Sequence, residues 1–392
     1  MLGLSIGTGA RAKPGLAWAT TRNRLRAYLA ANAGAADPHA VPAMADPPMI
    51  TTGAGSTDAP PAPYAGLTQS HRFASGTLNA AMRFEGGGEA AYFTDYRRFP
   101  AATRAASGGN VGNGLEAIVW RGRVLADAQA VAFRVLGGAA NRYRFIVDGA
   151  YVSAEPVSME TGGRQYVVLD FGSKAQREIV VEGALVAAID GIHVAPGDGL
   201  VLPPAPAFRA LVLGDSVTAG IGAEFAGDGF VPVMGDALGI ETWASGVSGS
   251  GYVATAGGSV YRLADRLAGD LARFQAYGAA DLVIVALGVN DLGLMDIGGQ
   301  ATACLDAIRT AAPRALVVVV APWDAEAPTT ASAHYRSAKA QIVAAAEARG
   351  GFWFLDCEGL AYSKADAVHP DSAGHGLIGE WLALAIRSAV AT

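Results

Sequence analysis

The chain has 392 residues, of which 51% are hydrophobic and 16% charged, and its formal net charge is -6. This composition suits well-filled cores rather than wholesale disorder, and the length exceeds that of one ordinary core, so we expect two domains with extensions. The mild negative charge and the lack of a long basic run exclude nucleic acid as an expected partner, because phosphate binding depends on concentrated Lys and Arg.

No membrane span, disulfide framework or metal site is expected from the sequence. No apolar run approaches the roughly 20 residues that a spanning helix needs, and the chain is expected to be soluble, either cytoplasmic or secreted. Cys304 and Cys357 are the only cysteines and are expected to be buried thiols. Nucleotide-binding loops and H-E-x-x-H are missing, and His71, His193 and His334 lack ligand spacing, so we expect no cofactor.

Residues 1–70 are predicted to be an N-terminal extension and linker. Within them, residues 16–31 (LAWATTRNRLRAYLAA) favour one helix, with Leu25, Tyr28 and Leu29 on a shared face. We expect this helix to dock on the body of the protein, although a membrane surface or a homo-oligomer contact remains an alternative. Residues 35–67 are rich in Pro, Gly, Ala and Thr, which predicts an extended surface linker.

Residues 71–204 are predicted to form an all-β, jelly-roll-like sandwich domain. Short segments of alternating polarity follow one another with almost no helical periodicity. In residues 142–149 (RYRFIVDG), aromatic and aliphatic residues alternate with arginines until an Asp-Gly turn. In residues 177–183 (REIVVEG), two apolar residues oppose Glu178 and Glu182, which are therefore expected to face away from the core.

Residues 205–392 are predicted to form an α/β domain, after a boundary rich in proline. Continuous apolar strands are expected at residues 210–215, 281–288, 315–322 and 352–356, as in a parallel sheet whose two faces are covered by helices. Helices are expected between them, at residues 260–277, 302–312 and 331–349. In such sheets, functional residues gather in the loops after the carboxyl ends of the strands.

Polar residues follow these strands where a site is expected. Ser216 follows the first strand, Asn290 follows the segment 281–288, and the loop after the last strand carries Asp366 and His369. Taken singly, these residues are more often helix caps, turns or structural groups. Their occurrence together at one sheet edge favours catalysis. A serine hydroxyl needs an imidazole base, and the imidazole needs a carboxylate on its other nitrogen.

The four blocks GDSVTAG, VSGSG, GVND and DAVHP resemble the signature blocks of the SGNH (GDSL-type) hydrolases, in the same order. The resemblance implies Ser216 as nucleophile, His369 as base and Asp366 as its partner. It further implies an oxyanion hole formed by Ser216 and Gly249 backbone N–H groups and the Asn290 side chain. Gly246 and Gly251 compete with Gly249 for this role, and Val289 stands where the family often has Thr or Ser. The implied fold is a flavodoxin-like three-layer α/β/α domain.

Asp215 and Asp291, beside the predicted site, are expected to bond to loop backbone, and His375 is expected to be a surface or packing residue. The classical G-x-S-x-G elbow does not surround Ser216, which disfavours the α/β-hydrolase alternative.

The order of a β-sandwich before an SGNH domain resembles that of two-domain carbohydrate esterases, which implies a serine esterase that removes O-acetyl groups from a carbohydrate. A small-ester lipase or arylesterase, a thioesterase, and a glycan-binding or assembly accessory are the alternatives. Trp323 is a candidate for substrate binding, and packing is an equal alternative for this residue. Phe230, Tyr252 and Tyr335 are weaker candidates.

Overall fold

The computed structural model describes residues 6–7, 17–32, 41–56, 59–72, 81–86, 97–98, 121–138, 141–159, 162–184, 187–255, 258, 261–323, 332–349 and 351–391. These residues form two sheets, an antiparallel sheet in the first half of the chain and a mainly parallel sheet in the second. The predicted fold class, an all-β sandwich domain before an α/β domain, is confirmed. The exact boundaries at residues 70 and 204 stay predictions.

Within the described ranges, the antiparallel sheet has eleven strands. They are β2 (Met49–Gly53), β3 (Gln69–Arg72), β4 (Arg83–Glu85), β5 (Arg97–Arg98), β6 (Arg121–Gly137), β7 (Arg142–Val147), β8 (Ala150–Tyr151), β9 (Val157–Ser158), β10 (Gly163–Gly183), β11 (Ala188–Val194) and β12 (Gly199–Val201). Alternate apolar residues on one face of the sheet, such as Phe133, Phe145 and Val181, form its main core. A smaller cluster that includes Tyr166 and Val168 lies on the other face of the sheet. Both faces are therefore partly covered.

Three details of this domain differ from the sequence-based expectation. Residues 49–53, expected to be linker, pair with β10 as an additional strand. The segment REIVVEG is not a separate short strand but the end of one long strand, β10, whose pairing with β6 is interrupted only between Asp170 and Ala175. Glu182 was expected on an exposed face but is only 2% exposed. Alternation of polar and apolar residues identifies the two faces of a strand but not what covers each of them.

The parallel sheet consists of β13 (Arg209–Gly214), β14 (Glu241–Gly246), β15 (Leu282–Ala286), β16 (Leu316–Val320) and β17 (Phe352–Leu355), and β1 (Ile6–Gly7) pairs antiparallel with β17. The spatial order is β14-β13-β15-β16-β17. This is the doubly wound, flavodoxin-like order, in which the chain reverses direction across the sheet beside its first strand. Every residue of β14, β15 and β16, and of β13 after Arg209, is buried, which explains the continuous apolar sequences of β13, β15 and β16.

The helices are α1 (Ala17–Ala31), α2 (Phe230–Leu238), α3 (Leu263–Ala276), α4 (Ile297–Ala311), α5 (Ala333–Glu347) and α6 (Ser372–Ala391). Helix α6 packs on α1 and α2, and α4 packs on α3 and α5, so that helices cover the sheet. The predicted helix at residues 302–312 begins five residues earlier, at Ile297.

Helix α1 docks on the body of the protein, as the sequence favoured. Trp18, Leu25 and Leu29 are buried in the core of the α/β domain. Tyr28 is partly buried, and its hydroxyl donates a hydrogen bond to the carbonyl of Gly239. A homo-oligomer contact through residues 1–70 stays a prediction. Among the described residues, no helix combines the length and the hydropathy that crossing a membrane requires.

Candidate active site

The structure brings together the three residues of the predicted triad. Ser216 lies in the loop that follows β13, two residues after the end of the strand at Gly214. Its Oγ lies 2.9 Å from Nε2 of His369. On the other side of the imidazole, Nδ1 lies 2.8 Å from Oδ2 of Asp366. The nucleophile and the base are 153 residues apart in the chain. The parallel sheet joins them because both follow carboxyl ends of its strands.

The Asp366 carboxylate is held so that it accepts from His369. Its Oδ1 accepts the backbone N–H groups of Val368 and His369, each at 2.8 Å. The backbone and side-chain hydrogen bonds from His369, followed by that from Val368, hold the pKa of Asp366 well below its usual range. An ionised carboxylate can only accept, so Nδ1 of His369 carries the proton and Nε2 is left to accept the hydrogen of the Ser216 hydroxyl. This is the tautomer that a general base needs.

The loop that carries Asn290 is tied to the loop that carries Gly249. Asn290 lies in a 3₁₀ turn after β15, and its Nδ2 donates to the carbonyl of Ser250 at 2.9 Å. The neighbouring Asp291 accepts three backbone N–H groups, from residues 252, 253 and 254, at 2.8 to 2.9 Å. Asp291 therefore bonds to loop backbone, as predicted. One N–H of the Asn290 amide is used by Ser250, which leaves the second to meet an oxyanion.

The surroundings of the three glycines favour Gly249 as the oxyanion donor. A Cβ at Gly246 would lie 2.3 Å from the backbone nitrogen of Ala219, and one at Gly251 would lie 2.2 Å from the Asp291 carboxylate. Both glycines are buried and are explained by close packing. Gly249 is partly exposed and has φ 76°, a left-handed conformation that glycine adopts without strain. The assignment of Gly249 stays a prediction.

Asp215, beside the nucleophile, is buried and has a structural contact. Its Oδ1 accepts the N–H of Val217 at 2.9 Å, as expected for a residue that bonds to loop backbone. Burial raises the pKa of Asp215 to about 7, and the nearby Asp291 carboxylate adds to this effect.

A buried arginine below the site was not found from the sequence. Nη2 of Arg266 donates to the carbonyl of Gly214 at 2.7 Å, and Nη1 donates to the carbonyl of Ser245 at 3.1 Å and to Oδ2 of Asp270 at 2.7 Å. The Arg266 and Asp270 side chains are at most 1% exposed. One guanidinium thus holds the carboxyl ends of β13 and β14, just before the loops that carry Ser216 and Gly249.

The sequence did contain a signal for this ion pair. Arg266 and Asp270 are four residues apart in a predicted helix, and both lie on the side that carries the leucines of that helix. A charged pair within an apolar stripe is unusual because burying charge is costly unless it is paired. Its position in the predicted helix therefore indicated a buried role.

His375 proves to be a packing residue and not a surface residue. It is fully buried on α6 and stacks on Phe230, with ring centroids 6.3 Å apart. Its Nδ1 accepts the N–H of Phe230 at 3.3 Å, and its Nε2 donates to the carbonyl of Ile221 at 3.0 Å. Burial lowers the pKa of His375 to about 4, so the ring stays neutral near pH 7. It links α6 to the segment that follows the nucleophile.

Replacement of His375 with glutamine is expected to reduce the loss of stability in mild acid. Between the unfolded pKa of 6.5 and the folded value of about 4, the unfolded chain binds a proton here that the folded chain does not. Stability therefore falls as pH decreases through this window, by about 2 kcal/mol between pH 7 and pH 5. Urea unfolding of both proteins at these two pH values measures the difference. An equal pH dependence in the variant would contradict the neutral, buried assignment.

Trp323 lies in the core and does not offer a ring face to a sugar in this structure. Its side chain is 1% exposed and meets Phe230 edge-on, with ring centroids 5.5 Å apart. Phe230, Tyr252 and Tyr335 are buried as well. Burial favours the packing interpretation of these residues, and substrate binding by Trp323 stays a prediction. The segment 324–331, which follows Trp323, lies outside the described residues.

Comparisons with known proteins bear on the family and the fold of this chain. Residues 212–377 match the model of the GDSL-like Lipase/Acylhydrolase family. A family two carbohydrate esterase from Cellvibrio japonicus is 15% identical with a TM-score of 0.61, over 82% of this chain and 98% of that chain. A family two carbohydrate esterase from Clostridium thermocellum, in complex with cellohexaose, is 15% identical with a TM-score of 0.59, over 79% and 99%.

A third similar structure has a different activity in its description. The salicylyl-acyltransferase SsfX3 from a tetracycline biosynthetic pathway is 16% identical with a TM-score of 0.59, over 82% of this chain and 98% of that chain. At these identities the three structures establish the common fold. No curated protein sequence matches the chain significantly.

Proposed function

The chain belongs to the GDSL-type (SGNH) hydrolases and is a carboxylic ester hydrolase, and from this premise we propose that it removes O-acetyl groups from a carbohydrate through a Ser-His-Asp triad. The observation that carries the proposal is the continuous line of hydrogen bonds from Ser216 Oγ through His369 to Asp366, at 2.9 and 2.8 Å. A serine that is already bonded to a correctly oriented imidazole is the arrangement that nucleophilic acyl transfer requires.

In the first half of the reaction, Ser216 Oγ attacks the ester carbonyl carbon while His369 Nε2 takes the hydroxyl proton. The C=O electron pair moves onto the carbonyl oxygen, and the resulting imidazolium is stabilised by the Asp366 carboxylate. Collapse of the tetrahedral intermediate breaks the bond to the sugar oxygen. His369 returns its proton to this oxygen, so the free alcohol leaves and an acetyl-Ser216 ester remains.

In the second half, a water molecule gives a proton to His369 and attacks the acetyl-enzyme. The bond between the acyl carbon and Ser216 Oγ breaks as His369 returns its proton to Oγ, and acetic acid leaves and ionises to acetate in solution. Backbone N–H groups of Ser216 and Gly249, together with the free N–H of the Asn290 amide, are the proposed donors to the oxyanion in both halves. Preorganised donors at this position are typically worth about 10² to 10³ in turnover each.

The position of the triad supports a small acyl group on a large acceptor. The side chains of His369 and Asp366 are 22% and 55% exposed, so the base side of the site lies at the protein surface. The loops around Ser216 and Gly249 consist largely of glycine and other small residues. A long acyl chain would gain its binding energy from burial in a large apolar groove, whereas an acetyl group needs little space. The shared two-domain fold with carbohydrate esterases supports a sugar as the acceptor.

Acyl preference is the direct test of this proposal. We expect kcat/KM for p-nitrophenyl esters to be highest for acetate and to fall at least about tenfold by octanoate, since a small site cannot exploit the longer chain. Release of acetate from acetylated xylan and acetylated cello-oligosaccharides should accompany it, with Ser216→Ala protein as the blank. A preference for octanoate, or for transfer of the acyl group to an added alcohol over water, would contradict the deacetylase assignment.

A further inference from the structure

The segment that follows the nucleophile loop is docked onto the sandwich domain. In this segment, residues 223–229, the ring of Phe225 lies under the guanidinium of Arg144 from β7, 3.9 Å from the ring centroid. The neighbouring Glu224 forms an ion pair with Arg142 of the same strand at 2.6 Å. A backbone bridge joins Phe225 to Ala184, just after β10. Charge, ring stacking and backbone pairing thus fix this segment against the sandwich.

The same segment is hydrogen-bonded to the start of α6, close to the catalytic base. Oδ1 of Asp228 accepts from Arg144 Nη2 at 2.6 Å, and Oδ2 accepts from the Ser372 hydroxyl at 3.2 Å. The Ser372 oxygen in turn accepts the N–H of Glu224 at 2.9 Å. Ser372 is the first residue of α6 and lies three positions after His369. Asp228 therefore connects an arginine of the sandwich with the loop that carries the base.

The charges at this contact depend on one another. Arg144 also bonds to Oε2 of Glu182 at 2.6 Å, and the Glu182 side chain is only 3% exposed. Burial alone would raise the pKa of Glu182, but Arg144 and Arg121 lower it overall, so it stays ionised. Removal of Arg144 would leave two carboxylates, those of Glu182 and Asp228, close together without their shared partner. Glu182 would keep Arg121 as a partner, but the two carboxylates would repel each other and draw in water, which displaces the groups bonded to Asp228.

We propose that Arg144 of the sandwich domain is a positioning residue for His369, acting through Asp228 and Ser372. The inference rests on the proposed function of His369 as the base. Contacts inside the base loop, such as the bond from the Ala365 N–H to the His369 carbonyl at 2.9 Å, act in parallel. Loss of Arg144 should therefore misplace the imidazole without removing it. A displacement of about 1 Å at a reacting group can reduce turnover about 10²-fold. The sandwich is thus a structural part of the catalytic unit.

The test compares Arg144→Met, Ser372→Ala and the double variant with wild type. We expect kcat for p-nitrophenyl acetate to fall about 10- to 100-fold in Arg144→Met, with KM nearly unchanged. Because both residues act along one path, the double variant should be no slower than the slower single variant. Arg144→Lys, which keeps the charge, should recover part of kcat. Multiplicative effects in the double variant, or an unchanged kcat in folded Arg144→Met, would overturn the proposal.

Arg123→Met is the matched control. Arg123 lies on β6, which pairs with the opposite edge of β10 from β7, and it is also largely buried, but its ion-pair partners Glu85 and Glu178 both belong to the sandwich domain. The substitution Arg123→Met should lower the melting temperature of the protein while leaving kcat as in wild type. An equal loss of kcat in Arg123→Met would indicate a general weakening of the sandwich and would overturn the specific role of Arg144.

Hydrogen exchange measured by mass spectrometry separates this inference from the proposed function. The peptide spanning residues 362–375 should exchange faster in Arg144→Met and in Ser372→Ala than in wild type and Arg123→Met. This readout requires no substrate. If wild type hydrolysed no ester, the proposed function would fail while the exchange result still tested the connection. Unchanged exchange in both variants, with an active wild type, would overturn the connection alone.

Discussion

Replacement of Ser216 with alanine is expected to lower kcat for p-nitrophenyl acetate by at least about 10⁴-fold, with little change in the melting temperature. Without the hydroxyl no acyl-enzyme can form, and only the oxyanion donors and substrate binding remain to assist attack by water. The structure places the Ser216 hydroxyl within 2.9 Å of the imidazole that would take its proton. Steady-state hydrolysis and thermal unfolding measure the two parts of this prediction, and labelling with a phosphonate ester, followed by intact mass, reports whether the nucleophile is present.

His369→Ala should cause a loss of similar size, because in a triad the nucleophile and the base act as one unit. The exposed residues Ser337 and His334 on α5 provide matched controls. Ser337→Ala and His334→Ala should retain wild-type turnover and labelling. Hydrolysis that persisted in Ser216→Ala would show that another nucleophile is used, and the proposed mechanism would then be wrong.

Arg266→Met is expected to lower the free energy of unfolding by about 3 to 5 kcal/mol, the second largest effect that the structure predicts. The change leaves the Asp270 carboxylate buried without a partner and removes the donors to the Gly214 and Ser245 carbonyls. Urea denaturation followed by circular dichroism measures the loss. Because these carbonyls precede the loops of Ser216 and Gly249, we expect kcat of the folded protein to fall as well.

Two further variants separate the stability effect from the effect on the site. Arg266→Met combined with Asp270→Leu should recover much of the stability, since a buried ion pair can often be replaced by apolar residues, but kcat should stay low because the carbonyls still lack their donor. Arg134→Met breaks the buried pair of Arg134 with Asp190 in the sandwich. It should cost stability without changing kcat. If the Arg266→Met, Asp270→Leu protein had wild-type kcat, Arg266 would have no role in placing the loops.

The local sequence was sufficient to predict the candidate site and four of the five parallel strands of the α/β domain, but not β14, whose sequence ETWASG is not a continuous apolar run. Strands that are buried on both faces have continuous apolar sequences such as LVVVV. Their alternation with helices along the chain indicates a parallel sheet. In a parallel sheet all carboxyl ends meet at one edge, so Ser216, Asn290 and His369 could be predicted to converge. The residue types then indicated acyl transfer, because few other reactions need a serine, an imidazole, a carboxylate and an amide donor together.

What covers each strand face and each helix face was decided only by the tertiary structure. Glu182 lies at a position in the polar–apolar alternation that predicts exposure. In the structure the α/β domain covers it, and it forms ion pairs with Arg121 and Arg144. Trp323 follows the carboxyl end of a strand, where binding residues are expected, yet its ring packs on Phe230. Periodicity records which residues share a face, whereas burial depends on contacts between segments far apart in the chain. For the same reason, the connection from the sandwich through Asp228 to the base loop is visible only in the folded protein.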